Sequence, residues 1–409
     1  MPLRFSGALC RKVFIRGDTI CQRLFGPSDA SGAPGAVLAS LAATLCYSGH
    51  RPYASAAELL GGKGAGGHPT VGLKLPKSRI NHRCGGSEGI ASMALYLVTG
   101  GAGFIGSTLV RRLLDQGERV RVVDNFCTGR RANLAEVLDH IELLEGDLAD
   151  EAVAREAAAG ADYVLHQAAI PSVPRSIDDP IASNRANVTA TLNMLVAARD
   201  AGAKRFVYAS SSSAYGDSEV LPKVETQPDN PISPYALTKL TGEKYAVIFH
   251  RIYGLSTAAL RYFNVFGPRQ DPNSPYSAVI SKFVTAALEG RRPTVYGDGE
   301  QSRDFTFVEN VVSANLLACR AKGVSGMVFN VGTGERHTLN DLLGTLSTLV
   351  GRDLKPEYVA PRPGDVRHSL ADIGRARQYL GYEVKVGFEE GLRRTVAWFR
   401  ESLEDARAG

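Results

Sequence analysis

From residue 93 onward the chain alternates short apolar runs with stretches of helical period. Ala94-Leu-Tyr-Leu-Val-Thr99 reads as a short buried strand. Ser107-Thr-Leu-Val-Arg-Arg-Leu-Leu-Asp115 spaces its apolar residues as one face of a helix. Val120-Arg-Val-Val-Asp124 reads as the second strand. Glu145-Gly-Asp-Leu148 closes a third, and Lys204-Arg-Phe-Val-Tyr-Ala-Ser210 is a later one. The alternation runs to about Phe263 and predicts a doubly wound parallel α/β sheet. Past Gly267 the pattern turns irregular, with Pro268, Pro272, Pro275 and Pro293. That predicts a smaller C-terminal α/β lobe assembled from separate segments. The body is expected over 93–270 with returning segments at about 301–338, and the lobe over 271–300 and 339–409. Glu389-Glu-Gly-Leu-Arg-Arg-Thr-Val-Ala-Trp-Phe399 reads as a terminal amphipathic helix in which Trp398 packs.

Residues 1–92 break this picture. They are rich in glycine, as in Gly61-Gly-Lys-Gly-Ala-Gly-Gly67, and show little periodicity. They hold 11 of the 47 Lys/Arg but only 4 of the 42 Asp/Glu. The net charge of +5 therefore belongs to this extension, and the body gives no reason to invoke nucleic acid. Cys10, Cys21, Cys46 and Cys84 match no zinc spacing, and no metal site is expected. The run Ala36-Val-Leu-Ala-Ser-Leu-Ala-Ala-Thr-Leu-Cys46 resembles a secretory apolar segment but lies far from residue 1. With Met93 just before the first strand, 1–92 is expected to be dispensable, and disordered or not translated. The body keeps Cys127 and Cys319 and reads as a cytoplasmic enzyme without disulfides or a membrane span.

Candidate chemistry begins at the first turn. In Thr99-Gly-Gly-Ala-Gly-Phe-Ile-Gly106, Gly100, Gly103 and Gly106 recur every third residue, a spacing unlike the common G-x-G-x-x-G. Glycine there permits a tight turn and close approach of a pyrophosphate to a helix N-terminus. An ordinary βα turn is the alternative. Asp124 ends the second strand about 20 residues on, placed to accept bonds from an adenosine ribose. Its carboxylate would repel the extra phosphate of NADP, which favours NAD. Arg130 and Arg131 keep NADP open. Asp147 reads either as a residue on the adenine side or as a helix N-cap.

Ser233-Pro234 reads as a helix start, with a capping hydroxyl and proline at the first position. Tyr235 and Lys239 then share one helical face. A lysine ammonium lowers the pKa of a nearby phenol, which suits an acid/base role. A surface Tyr/Lys pair is the alternative reading. Ser210 to Ser213 follow a strand at the sheet edge where open α/β sheets bind ligands. One such hydroxyl can hold the oxygen whose proton Tyr235 removes.

Residues 93 to about 400 resemble the extended short-chain dehydrogenases/reductases, and among them the nucleotide-sugar 4-epimerases, which have a Rossmann sheet. The likeness rests on the turn and on His166-Gln-Ala-Ala169, Ser172-Val-Pro-Arg-Ser176, Tyr208-Ala-Ser-Ser-Ser-Ser-Ala-Tyr-Gly216 and Ser233-Pro-Tyr-Ala-Leu-Thr-Lys239. It continues in Leu260-Arg-Tyr-Phe-Asn-Val-Phe-Gly267, Gly297-Asp-Gly-Glu-Gln-Ser-Arg-Asp304 and Arg362-Pro-Gly-Asp-Val-Arg-His-Ser369. The resemblance implies Tyr235, Lys239, Ser211 and Ser212 as catalytic residues. It implies NAD contacts from Gly100, Gly103, Phe104, Ile105, Gly106, Asp124, Asn125, Asp147, Leu148, Ala168, Ala169, Asn187 and Tyr262, besides Tyr235 and Lys239. Asn187 is expected at the start of the helix lining the site. For a UDP-sugar it implies Ser172, Val173, Arg175, Ser211, Asn264, Val279, Arg303, Arg362, Asp365 and Ser369. Ser369 matches a position that gates the N-acetyl group.

Ser213 stands where related dehydratases and decarboxylases carry a glutamate. UDP-hexose 4-epimerisation is therefore expected, on plain or N-acetylated glucose and galactose forms. A dehydratase, decarboxylase or reductase of the same family is second, and a non-catalytic NAD-binding protein third. A homodimer is implied, pairing the helices of Thr191–Ala198 and Tyr245–Phe249.

Overall fold

The computed structural model describes residues 93–271, 279–361 and 366–408. The expectations for 1–92, Arg362 and Asp365 lie outside them. β1 (Leu95–Thr99), β2 (Arg119–Asp124), β3 (Glu142–Glu145), β4 (Tyr163–His166), β5 (Arg205–Ser211), β6 (Thr257–Tyr262) and β7 (Met327–Val331) form one sheet. Its order is β7-β6-β5-β4-β1-β2-β3 and every pair is parallel. The order reverses between β1 and β4, which opens a crevice at their C-terminal ends.

Alternate strand residues feed two cores, as strand pleating requires. Tyr96 and Val98 face α1 (Phe104–Asp115), α8 (Val308–Arg320) and α10 (Gly374–Leu380). Leu97 faces α2 (Glu151–Ala158), α5 (Ala190–Asp200) and α6 (Pro234–Tyr253). A third core gathers Phe266, Phe305 and Phe307 with α7 (Val279–Glu289), α9 (Leu339–Val350) and α11 (Phe388–Ala408). Trp398 packs there, edge-on to Phe399 at 5.1 Å.

Two expectations about local structure change. β3 stops at Glu145, so Asp147 lies two residues past the strand, and Asp150 caps α2 by accepting Ala152 N–H at 2.8 Å. The cap reading of Asp147 therefore fails. Asn187 does not start a helix. α4 (Pro180–Asn184) runs through a wide turn at Arg185–Thr189 into α5, and Asn187 sits inside that turn. Its side chain has been recruited by a neighbouring loop, as described below. Among the described residues, no helix is long and apolar enough to cross a membrane.

Candidate active site

The crevice is a cavity of about 1090 Å³. At one end lies the turn after β1. Gly100 has φ +65°, a conformation that side chains other than glycine resist. Gly103 flanks α1 with no side-chain cap, and the first turn of α1 carries no acid. Its N–H groups and positive dipole end are thus available to an anion. A Cβ on Gly106 would stand 2.2 Å from the carbonyl oxygen of Gly100 and 2.8 Å from Gly101 Cα. The turn and helix can meet only at glycine, so the seat fits a dinucleotide pyrophosphate. Sequence reasoning overlooked Gly101, which with Gly103 and Gly106 does make the common G-x-G-x-x-G spacing. A Cβ on Gly101 would strike Val122 at 2.6 Å.

Asp124 ends β2 beside this turn. Its Oδ2 accepts Ala102 N–H at 2.9 Å and its Oδ1 accepts Phe126 N–H at 2.8 Å. Burial raises its pKa, and the two backbone donors oppose the rise. Each oxygen keeps capacity for a ribose hydroxyl. Both nearby arginines are engaged with acids. Arg131 pairs with Glu145 at 2.5 Å and stacks 4.0 Å over Phe126, and Arg130 lies 3.9 Å from Asp271. Asn125, Asp147, Leu148, Ala168 and Ala169 complete this end of the wall.

At the other end α6 presents the candidate acid/base pair. Ser233 caps it by accepting Ala236 N–H at 3.1 Å, and Pro234 follows. Tyr235, Lys239, Ser211 and Ser212 all line the cavity. Ser211 accepts from Ser213 N at 3.1 Å and from Ser213 Oγ at 2.9 Å, and its hydroxyl stands close enough to Tyr235 to act on the phenol. Lys239 Nζ lies 4.9 Å from the centre of the Tyr208 ring. The electrostatics differ from the simple expectation. Burial raises the pKa of Tyr235, opposed by the Ser211 hydroxyl, and burial pushes Lys239 down to about 7. Desolvation disfavours both charged forms.

Ser172, Val173, Arg175, Tyr262, Asn264, Arg303 and Ser369 line the same cavity. Ser172 caps α3 (Val173–Asp178). Asn264 Nδ2 donates to Asp304 O at 3.3 Å, and Arg303 Nη1 donates to Arg367 O at 3.1 Å. Val279 instead lines an adjoining cavity of about 270 Å³, which Asn264 and Arg303 also border. Asn187 reaches neither. It is buried and bonds Ile170 N at 2.7 Å, Ile170 O at 3.3 Å and Thr238 Oγ1 at 3.0 Å. It braces the loop that carries Ala168 and Ala169. Ser176, expected with Ser172 in the wall, instead stands behind it and accepts Tyr235 N–H at 3.0 Å, and His368 in the wall was not singled out. Both stand inside the quoted motifs.

A buried chain of hydrogen bonds runs beneath the site. Thr191 Oγ1 donates to Asn187 O at 2.6 Å, so it accepts from His166 Nε2 at 3.0 Å. His166 Nδ1 then accepts from Thr99 Oγ1 at 2.9 Å, which itself accepts Ala168 N–H at 3.1 Å. The imidazole is therefore neutral. Burial, helped by the charge of Lys239, pushes its pKa down to about 3. Unfolded, it would titrate near 6.5, so below that pH the unfolded chain gains a proton that the folded one refuses. Stability should fall between about pH 6.5 and pH 3, by up to roughly 4–5 kcal/mol. His166→Asn should flatten that part of the stability–pH curve measured by urea unfolding. An unchanged slope would contradict the assignment.

Residues 96–332 match the model of the NAD dependent epimerase/dehydratase family. A UDP-glucose 4-epimerase of Mycolicibacterium smegmatis is 41% identical over 312 residues, which cover 75% of this chain and 99% of the relative. Among solved structures, UDP-glucose 4-epimerase from Thermotoga maritima with UDP-glucose is 40% identical with a TM-score of 0.72. That match covers 76% of this chain and 99% of the other. UDP-N-acetylglucosamine 4-epimerase from Methanobrevibacter ruminantium M1, in complex with UDP-N-acetylmuramic acid, has the same TM-score at 41% identity. It too covers 76% of this chain and 99% of its own.

Proposed function

Because this chain belongs to the NAD-dependent epimerase/dehydratase family, we propose that it interconverts UDP-hexoses epimeric at C4. It is an NAD-dependent isomerase of the extended short-chain dehydrogenase/reductase class. The observation that carries the 4-epimerase reading is the make-up of the reacting end. Tyr235 and Ser211 come together there, and among the described residues the carboxylates lining the cavity are Asp124, Asp147 and Asp271. None of them neighbours Ser211. Elimination or decarboxylation by a related site would call on a second acid/base, and Ser213 stands at that place.

Bound NAD supplies a reversible hydride acceptor at the sugar C4. Tyr235 takes and returns the 4-hydroxyl proton, and Ser211 holds that oxygen by hydrogen bond. Lys239, with a pKa pulled near neutrality, stabilises the phenolate form of Tyr235 when it carries its proton. Asn264 and Arg303 anchor the diphosphate while the 4-keto sugar turns over, and Val279 borders the adjoining pocket for the base. Asp124 and the Gly100–Gly106 turn hold the dinucleotide.

The sugar is plain or N-acetylated glucose or galactose. Ser369 lines the wall, held by its N–H to Ser302 O at 3.0 Å, and its short side chain leaves room for an acetamido group. The test is to incubate purified protein with several UDP-sugars and read product stereochemistry. Inversion at C4 without net change in bound NAD is expected. Ser369→Tyr should abolish turnover of UDP-N-acetylglucosamine and spare UDP-glucose. Equal loss of both activities would remove the gate.

We also read the exposed face of α6 as a homodimer contact. Leu237, Ile248 and Ile252 lie exposed along it, with Ile177 and Ile181 nearby. In α5, Met194, Leu195, Ala197 and Ala198 are buried in the chain's own core, so the part of that helix left for a partner is Leu192 and Val196.

A further inference from the structure

Ser211 and Tyr235 come from different elements, β5 and α6, yet both must reach one sugar oxygen. Their reach is set by whatever fixes the register between strand end and helix. Behind them lies Glu243, on α6 one turn beyond Lys239 and about two beyond Tyr235, and fully buried. Its Oε2 accepts Ser210 Oγ–H at 2.7 Å and Arg261 Nε–H at 2.8 Å. Its Oε1 accepts Arg261 Nη2–H at 2.7 Å. Arg261, 1% exposed, stands opposite Ser210 in the β5–β6 register. The same Nη2 reaches Asp229 Oδ1 at 2.6 Å, on the segment that leads into the Ser233 cap. The guanidinium also lies 4.6 Å over the Tyr215 ring.

One carboxylate thus ties together the residue before Ser211, strand β6 and the helix that carries Tyr235 and Lys239. A buried ion pair is a poor route to stability, since apolar side chains of the same shape often do as well or better. What a bidentate charged pair adds is direction, because its hydrogen bonds fix angle as well as distance. We propose that Glu243, gripped by Arg261, is a positioning residue that sets the separation of Ser211 and Tyr235 through Ser210. Neither Glu243 nor Arg261 lines the cavity, so they act through the groups that do. The inference rests on the 4-epimerase reading given above.

The test uses full-length, NAD-loaded protein carrying Ser210→Ala or Glu243→Gln, with kcat expressed per bound NAD so that any unfolded fraction drops out. A displaced reacting group costs up to about a hundredfold, so kcat should fall by about ten- to a hundredfold in each variant. KM for UDP-glucose should stay within about twofold, because the diphosphate grip lies elsewhere. In a Tyr235→Phe background Ser210→Ala should cost less than about threefold, since the pair it positions is already broken. If Glu243→Gln yields no folded protein, Ser210→Ala decides alone. Wild-type kcat in Ser210→Ala, a rise in KM without loss of kcat, or a full loss added on top of Tyr235→Phe each overturns the inference. A wild-type enzyme that inverts no UDP-hexose at C4 overturns the reading beneath it, and the inference with it.

Discussion

Tyr235→Phe should lower turnover about a thousandfold, within the range expected when a positioned acid/base is removed. The loss is equivalent to about 4 kcal/mol of transition-state stabilisation. The phenol is the group at the α6 end of the cavity whose pKa the Ser211 hydroxyl holds down, and it is carried on the same helical face as Lys239. Phe fills the same space, and Tyr235 takes no part in the caps or strand pairings that build the fold. NAD content and unfolding midpoint should therefore stay near wild type. The effect should also fall on kcat rather than KM, because the proton moves only in the chemical step. Turnover within about tenfold of wild type, at normal NAD content, would remove Tyr235 from its role.

The same site shows where sequence reading succeeds and where it stops. The turn, Asp124, the capped start of α6 and the serines after β5 were legible because each depends on local rules. Glycine permits a conformation, a hydroxyl before proline caps a helix, and period four places two side chains on one face. Asp147 was misplaced locally, since β3 stops at Glu145 and Asp150 takes the cap, whereas Asn187 was misplaced because its partners are remote in sequence. Asn187 is claimed by Ile170 and Thr238, 17 and 51 residues away. Nothing near Asn187 announces that. The bonds around His166 and Glu243 were invisible for the same reason, since they join four separate strands and two helices. The electrostatics also required three dimensions. Tyr235 and Lys239 in isolation promise a lowered phenol pKa, but burial of both raises the phenol and pulls the lysine to about 7. Residual protonation of Lys239 near neutral pH is consequently a matter of what else enters the cavity, and an anionic diphosphate dinucleotide raises it.

Gly106→Ala should abolish NAD binding at micromolar concentration while a second Gly→Ala change elsewhere does no harm. The new Cβ would sit 2.2 Å from Gly100 O and 2.8 Å from Gly101 Cα, far inside contact distance. Both are backbone atoms, so no flexible side chain can swing aside. Gly100 is itself held in place, with its N–H on Val123 O at 2.8 Å and φ at +65°. The turn must therefore move away from the start of α1, and those two pieces together form the proposed pyrophosphate seat. Overpacking of this kind costs about 1–3 kcal/mol of stability. The binding loss should be larger, because the N–H groups at the uncapped start of α1 are displaced together. Gly344 supplies the control. It lies in α9, and a Cβ there meets nothing within 4 Å. Gly344→Ala should raise stability by about 0.5–1 kcal/mol, the usual gain in a helix interior, and leave NAD content unchanged. The measurement is bound NAD after purification, alongside the unfolding midpoint of each variant. Stoichiometric NAD in Gly106→Ala would mean that the turn yields without opening the seat, and the close approach at this glycine would lose its role in cofactor binding.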